Sequence, residues 1–316
     1  MASSEDQGLY NLFTTQFSTN LELKLQQMGT LLRPHVKEGF HVGKQASPIN
    51  QIAPIASRSP AGRFAPMERV DPDFTRRWVF PTDKEIPQLI DSFDELKTIV
   101  DPKSQYSENA AMSAGRDWDD ALIAAALGTA QVGQDAGGLT SETWPVAPGS
   151  ATSTSVIIAV SFAAGSTAVG LTVAKLVEAR RLLRKFHNDL DRDPPTLIIG
   201  SQQEADLLNQ VTVVSTEFSD RPVLVDGMIK RFLGFNIVVS ERLNVVSNVR
   251  KVICFVKSGL YLGVWRDLTN RVSIRNDLSS EPYQLYTKYT YGATRTQPGK
   301  VLEIDCSDTT GVDIAP

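Results

Sequence analysis

The segment from His41 to Thr82, HVGKQASPINQIAPIASRSPAGRFAPMERVDPDFTRRWVFPT, holds six prolines and shows no helical period. Each proline fixes its own φ and lacks an N–H, so neither a helix interior nor a central strand can accommodate the run. Loops this long are uncommon inside compact domains and usually have a function or lack order. HVGKQ and TRRWVF have strand-type composition and flank a turn-rich tip, SRSPAG. The reading is an extended hairpin arm that projects and finds a partner elsewhere. In an extended segment neighbouring side chains face opposite sides. One of Arg76 and Arg77 therefore shares the face of Trp78, and the other lies with Thr75 and Val79.

Helices are expected on either side of this arm. Residues 16–32 put Phe17, Leu21, Leu25, Met28 and Leu32 on one stripe, which Pro34 closes. Ser92 to Glu95 fits a capping box opening a short helix with Phe93, Leu96 and Val100 on one side. Asp101-Pro102 supplies an N-cap and a first-turn proline for a long helix ending at Leu127, before Gly128. Its stripe is Tyr106, Ala110, Ala114, Trp118, Ala121, Leu122 and Ala125. About 26 residues make a rod of roughly 39 Å, and alanine on the stripe lets other elements approach closely.

The following QVGQDAGGLTSETWPVAPGSATSTS is a flexible loop by composition. VIIAVSF reads as a buried strand, and Thr172 caps a helix with Val173, Leu176, Leu183 and Phe186 inward. TLIIG is a strand, and Ser201 to Glu204 a second capping box. From Val211 the chain is mostly strand: VTVVS, PVLV, FLGFNIVVS, VICFV, LYLGVW, VSIR, YQLYTKYTYGATR and VLEID. RFLGFNIVVSERL, Arg231 to Leu243, is taken as one strand with a glycine at its centre. The class is α+β.

Composition narrows function. The net charge is -4 in 316 residues, against a dedicated nucleic-acid binder with its basic face. The polar MASSEDQG start is not a signal peptide, and Val156 to Ala164 is too short to span a bilayer. A soluble cytoplasmic product is expected. Cys254 and Cys306 sit in apolar strand-like runs and read as buried free thiols. His35, His41 and His187 show no metal-ligand spacing.

Other motifs fail in detail. Asp189, Asp191 and Asp193 begin like an EF-hand loop, but Pro194 replaces its glycine and Gly200 its final glutamate. The pattern fits a solvated acidic turn. GATRTQPGK, Gly292 to Lys300, ends like a phosphate loop, yet Val301 stands where Ser or Thr is needed. Asp119 and Asp120 are adjacent on a helix, so they point in different directions and form no dyad. No catalytic, metal or cofactor site is expected. A soluble α+β enzyme with an unrecognised site stays as a rival reading.

The order of these parts, with FTTQFSTNLELKLQQMGTLLR, DFTRRWVFP and LIDSFDELKTIVDPKSQYSENAAMSAGRDWDDALIAAALGTA, resembles the major capsid proteins of tailed bacteriophages. LTVAKLVEARRLL, DRPVLVDGMIKRFLGFNIVVSERL, KSGLYLGVWRDLTNRVSIR and YGATRTQPGKVLEIDC extend the resemblance over residues 10 to 306. It implies the Hong Kong 97 coat fold: an N-terminal arm (1–40), an extended loop (41–82), a peripheral domain (83–165 and 270–316) with a spine helix at 102–127, and an axial domain (166–269). Within it RFLGFNIVVSERL becomes a central axial strand.

The implied function is a shell subunit assembling into hexamers and pentamers of an icosahedral head around double-stranded DNA. No sequence-specific DNA contact and no membrane are implied. A scaffolding protein, a portal and decoration proteins are the further partners, and the virion, assembled in host cytoplasm, is the location. Arg63, Arg69, Arg76, Arg77 and Trp78 become the candidate inter-subunit contacts. A nanocompartment shell of the encapsulin kind is the nearest alternative.

Overall fold

The computed structural model describes residues 26–59, 62, 63, 66, 69–90, 103–133, 138–145, 156–165, 167–210, 230–279 and 281–309. The strands are β1 (Lys37–Phe40), β2 (Ala46–Ile52), β3 (Phe74–Val79), β4 (Thr82–Ile90), β5 (Ala130–Gly133), β6 (Thr140–Glu142), β7 (Ile157–Ile158), β8 (Pro195–Ile199), β9 (Arg231–Phe232), β10 (Phe235–Val239), β11 (Val245–Val246), β12 (Val249–Val256), β13 (Leu260–Ile274), β14 (Tyr283–Arg295) and β15 (Val301–Ser307). The helices are α1 (Lys103–Leu127), α2 (Val173–Lys185) and α3 (Ser201–Leu208). The α+β class is observed.

Three sheets organise the described chain. A seven-stranded sheet runs β7-β15-β12-β8-β10-β9, with β11 paired to β12. Its central strands carry apolar runs, Leu197–Ile199 in β8 and Val252–Val256 in β12, and Leu197, Ile198, Ile199, Val252, Ile253, Cys254, Phe255, Leu302 and Ile304 are fully buried. Burial on both faces explains the absence of polar alternation. The thiols of Cys254 and Cys306 are free and buried, and burial pushes the Cys306 thiol up to about 12.

A second sheet, β1-β13-β14-β4, lies against α1. Period-2 alternation along β14 turns Leu285, Tyr289 and Tyr291 inward. Trp118 of α1 meets Tyr289 edge-on at 6.1 Å between ring centres. Pro87 is accommodated because β4 is an edge strand.

The third sheet, β2-β3-β5-β6, forms the base of the extended arm. The antiparallel β2–β3 pair gives the expected hairpin, but its first strand starts at Ala46. HVGKQ is a bend instead, where Gly43 takes φ 105. Pro48 falls in the irregular register between Ala46 and Ile49 on an edge strand, so its missing N–H breaks no interior ladder.

Several expectations change. RFLGFNIVVSERL is not one strand: Leu233 and Gly234 take φ 49 and 84 and fold β9 back on β10 in a two-residue hairpin. Residues 26–32 are not helical, and Pro34 lies within a short 3-10 turn at Arg33–His35. The rest of that expected helix lies outside the described residues. So do the Ser92 capping box, the Asp101-Pro102 start, VTVVS and PVLV. VIIAVSF shortens to β7 followed by turns, and LYLGVW and VSIR merge into one bulged strand, β13. The cap of α3 is Gly200 rather than Ser201, with its N–H donating to Gln203 Oε1 at 3.2 Å. Strand β15 pairs with β12 from Val249↔Ser307 to Phe255↔Val301.

Helix α1 is buried on two faces, where one apolar stripe was expected. Tyr106 is exposed, while Ala114, Leu122 and Ala126 are fully buried. The second face meets residues 26–32. A Cβ on Gly115 would stand 2.5 Å from the Gly29 carbonyl carbon, so only glycine permits this approach. Buried Asp119 accepts from Thr30 Oγ1 at 2.6 Å and from the Leu31 and Leu32 amides at 2.9 and 3.1 Å. Asp120 faces away and pairs with Arg242. The two carboxylates indeed serve different elements.

Candidate functional site

The arm base begins with strand alternation in FTRRWV. Arg76 stands opposite Asn50 and Gly133, and Ile52 opposite Phe74. Directly paired residues share a face, so Ile52, Phe74, Arg76 and Trp78 lie on one side and Arg77 and Val79 on the other. The first side is outward: Ile52 and Phe74 are 63% and 52% exposed. Arg76 is exposed, and half-buried Trp78 donates its indole N–H to the Gly133 carbonyl at 3.2 Å. The split expected between the two arginines is the one observed.

Arg77 points inward, is 6% exposed, and forms an ion pair with Glu142 of β6. Next to it lies Arg295, at the end of β14 and 1% exposed. Its guanidinium donates to the Ala126 and Gly128 carbonyls, both at 2.9 Å, and to the Glu142 carbonyl at 3.3 Å. A cation thus serves the carbonyl end of α1, where the helix dipole favours positive charge. The Trp144 ring covers the guanidinium at 4.9 Å, a cation–π contact. Burial pushes Arg295 down to about 10, against the opposing pull of Glu142, so it keeps its charge at neutral pH.

Two further contacts fix the arm. Gln51 Nε2 donates to the Thr296 carbonyl at 3.0 Å. A Cβ on Gly292 would lie 2.3 Å from the Phe80 carbonyl oxygen, so the returning strand crosses β14 through a gap that glycine leaves. The base is therefore latched by side chains from β3, β6 and β14, while its outer face remains open in the subunit.

The other sequence candidates separate. Arg63 is exposed near the tip, and Arg69 makes a surface pair with Asp71 at 2.6 Å, of a kind that adds little stability. Glu142, Trp144 and Arg295 were not anticipated. One signal existed for Arg295: period-2 spacing from Tyr289 and Tyr291 places it on the buried face, where a charge demands partners. Glu142, 65 residues from Arg77, carries no such signal.

The remaining motifs are structural where described. Asp189 Oδ1 accepts from the Asp191 and Arg192 amides, and Asp193 accepts from the Ser258 amide at 3.0 Å. Among the described residues no three His, Cys, Asp or Glu are placed to hold a metal, and no helix is long and apolar enough to cross a membrane. Lys300 of GATRTQPGK ends a 3-10 turn between strands.

By charge the arm and body are complementary. Six Lys or Arg against three Asp or Glu give residues 41–82 a net +3, so the remainder of a -4 chain carries -7.

The family profile for phage capsid proteins matches residues 9–308. No curated protein matches the chain by sequence. Among solved structures, the capsid of cyanophage P-SCSP1u superposes with TM-score 0.72 at 15% identity, covering 95% of each chain. The capsid of cyanophage Pam1 gives 0.70 at 12% identity, over 94% of this chain and 96% of the other. The capsid of a native GTA particle gives 0.69 at 13% identity, over 97% and 99%.

Proposed function

The chain belongs to the phage capsid protein family, and from that premise we propose that it builds the head by docking its arm on a neighbouring copy. Its role is that of a major capsid protein, a structural component of the virion; the match favours a phage shell over a nanocompartment or an enzyme. The finer reading is a Hong Kong 97-like subunit forming hexamers and pentamers of an icosahedral shell. The second sheet with α1 makes its peripheral part, and the seven-stranded sheet with α2 and α3 its axial part. β15 then belongs with the axial sheet it pairs with.

The observation that supports arm docking is the outward face of the arm sheet. Phe74, Trp78 and Ile52 surround Arg76 on a platform held from behind by Arg77, Glu142 and Arg295. Aromatic and arginine side chains dominate interface energies, and a latched platform loses little entropy on docking. The net +3 arm meets a net -7 body on the next copy, which favours heterologous contacts between identical chains. Double-stranded DNA is enclosed without sequence reading, and a scaffolding protein, a portal and decoration proteins complete the head, assembled in host cytoplasm.

Arg76→Ala tests the reading without touching the latch. The subunit should keep its circular dichroism and melting temperature. Truncating such an anchor costs about 2 kcal/mol per contact, roughly thirty-fold in each contact's equilibrium. Electron microscopy should then show far fewer closed particles. Wild-type particle yield and stability from this variant would remove Arg76 from the interface.

A further inference from the structure

The latch behind the arm carries a surplus of buried positive charge. Arg77 and Arg295 are 6% and 1% exposed, and among the described residues the one carboxylate within reach of both is Glu142. Arginine does not shed its proton in proteins. The Nε–H groups of both residues are buried and have no hydrogen-bond partner. Trp144 offers Arg295 a ring face, which lessens the deficit without supplying an acceptor in the plane of the guanidinium. A buried charge without its counter-charge is strongly unfavourable, and buried N–H donors are seldom left unpaired. Glu303 is engaged elsewhere, with Lys251 and the Trp144 indole.

We propose that this junction is an acceptor for one carboxylate from a second copy of the chain, delivered when the arm docks. The proposal rests on the arm-docking reading and names what the inner side of the arm base does in it. The approach is from solvent past Glu142, whose side chain is 22% exposed beside Arg77 at 7%. The occupant is a second copy because the body outside the arm carries the net -7. An isolated subunit therefore holds an electrostatic deficit that assembly repairs. Arm placement and neighbour binding become coupled, since the incoming carboxylate strengthens the group that also pins β3 to β6.

Arg77→Met separates the two states. It removes the surplus charge but also breaks the pair with Glu142 inside the subunit, so subunit melting should fall by several degrees and sets the baseline. Shells, which lose in addition the arginine–carboxylate pair at each contact, should fall at least about 4 °C further than the subunits or fail to close. Shells whose melting falls no more than that of the subunits would overturn the proposal, because the arginine would then act only within one chain.

Should Arg77→Met not fold, wild-type subunits decide. Sodium acetate is the probe, compared with sodium chloride at equal ionic strength and pH 7. A higher melting temperature in acetate supports a carboxylate acceptor, and equal melting overturns it. Arg76→Ala keeps the two ideas apart. Loss of shells in Arg76→Ala with normal shells in Arg77→Met sinks this inference alone, while normal shells in both sink the docking reading as well.

Discussion

The seven-stranded sheet and the arm sheet are held by opposite means. The first is closed mainly by apolar burial: Leu197, Ile253, Phe255 and Leu302 are fully inaccessible, and the buried Glu303, paired with Lys251 between β15 and β12, is a polar minority among them. The second has four short strands, one open face, and a latch of two arginines, one glutamate and a tryptophan. Apolar burial is non-directional and strong per unit area. Buried polar latches contribute less net stability but specify one geometry, and they respond to what is placed beside them. A shell subunit needs both: a body that keeps its shape and an arm whose position is defined and still answers to a neighbour.

The comparison is broken most severely in the body. Phe255→Ala removes a fully buried ring from the central strand β12. A cavity of that kind costs about 3–5 kcal/mol, a large part of the stability of an ordinary domain. The expected outcome is a subunit that melts far lower or is recovered only as aggregate. Near-normal melting would show that the sheet is less tightly packed than its burial indicates.

Glu142→Gln is the matching insult to the arm. It strands two buried guanidinium groups without a carboxylate, and breaking a buried pair from one side costs about 3 kcal/mol. Here the loss should stay local. Hydrogen exchange should show β3, β5 and β6 losing protection while β8, β12 and β15 keep theirs. Equal loss of protection in both sheets would mean that the arm and the body unfold as one unit, and the contrast drawn above would fall.

The two regions also differ in how far the sequence discloses them. Apolar runs such as VICFV and TLIIG announce buried strands because their burial is local and continuous, and LTVAKLVEARRLL carries its own cap at Thr172. The helix ending at Leu127 was legible from its alanines, but its second buried face was not. That face depends on Gly115 and Asp119, whose partners lie near residues 29–32. The hairpin at Leu233-Gly234 was hidden because leucine rarely takes a positive φ, and the usual Asn-Gly or Asp-Gly signal is missing. The arm's faces followed from period-2 alternation alone. Its latch did not, because Arg77, Glu142 and Arg295 become neighbours only through tertiary pairing. Polar partners are set by topology, whereas apolar patterns are set residue by residue.

The smallest effect probes one of the polar residues inside the largely apolar sheet. Asp305 of β15 stands opposite Lys251 and two residues from Glu303, and its Oδ1 is buried without a hydrogen-bond partner. Burial, reinforced by the charge of Glu303, raises its carboxyl above the ordinary 3.8, while Lys251 and Lys175 offset part of the shift. The stability contributed by a carboxyl whose folded pKa is raised is fully present below its unfolded pKa. That contribution is lost as pH rises through the folded value, so at neutral pH the ionised group works against folding. Asp305→Asn keeps the shape and removes the charge, and the amide gains a donor for the Glu303 carboxylate. The variant's subunits should therefore melt a few degrees above wild type at pH 7. The advantage should shrink as the pH falls and be gone below about 3, where Asp305 is protonated in both folded and unfolded chains. A variant that melts at or below wild type at pH 7 would show that the attraction of Lys251 and Lys175 outweighs the burial. The sheet would then use Asp305 as a second, smaller latch, and the contrast between an apolar body and a polar arm would become one of degree.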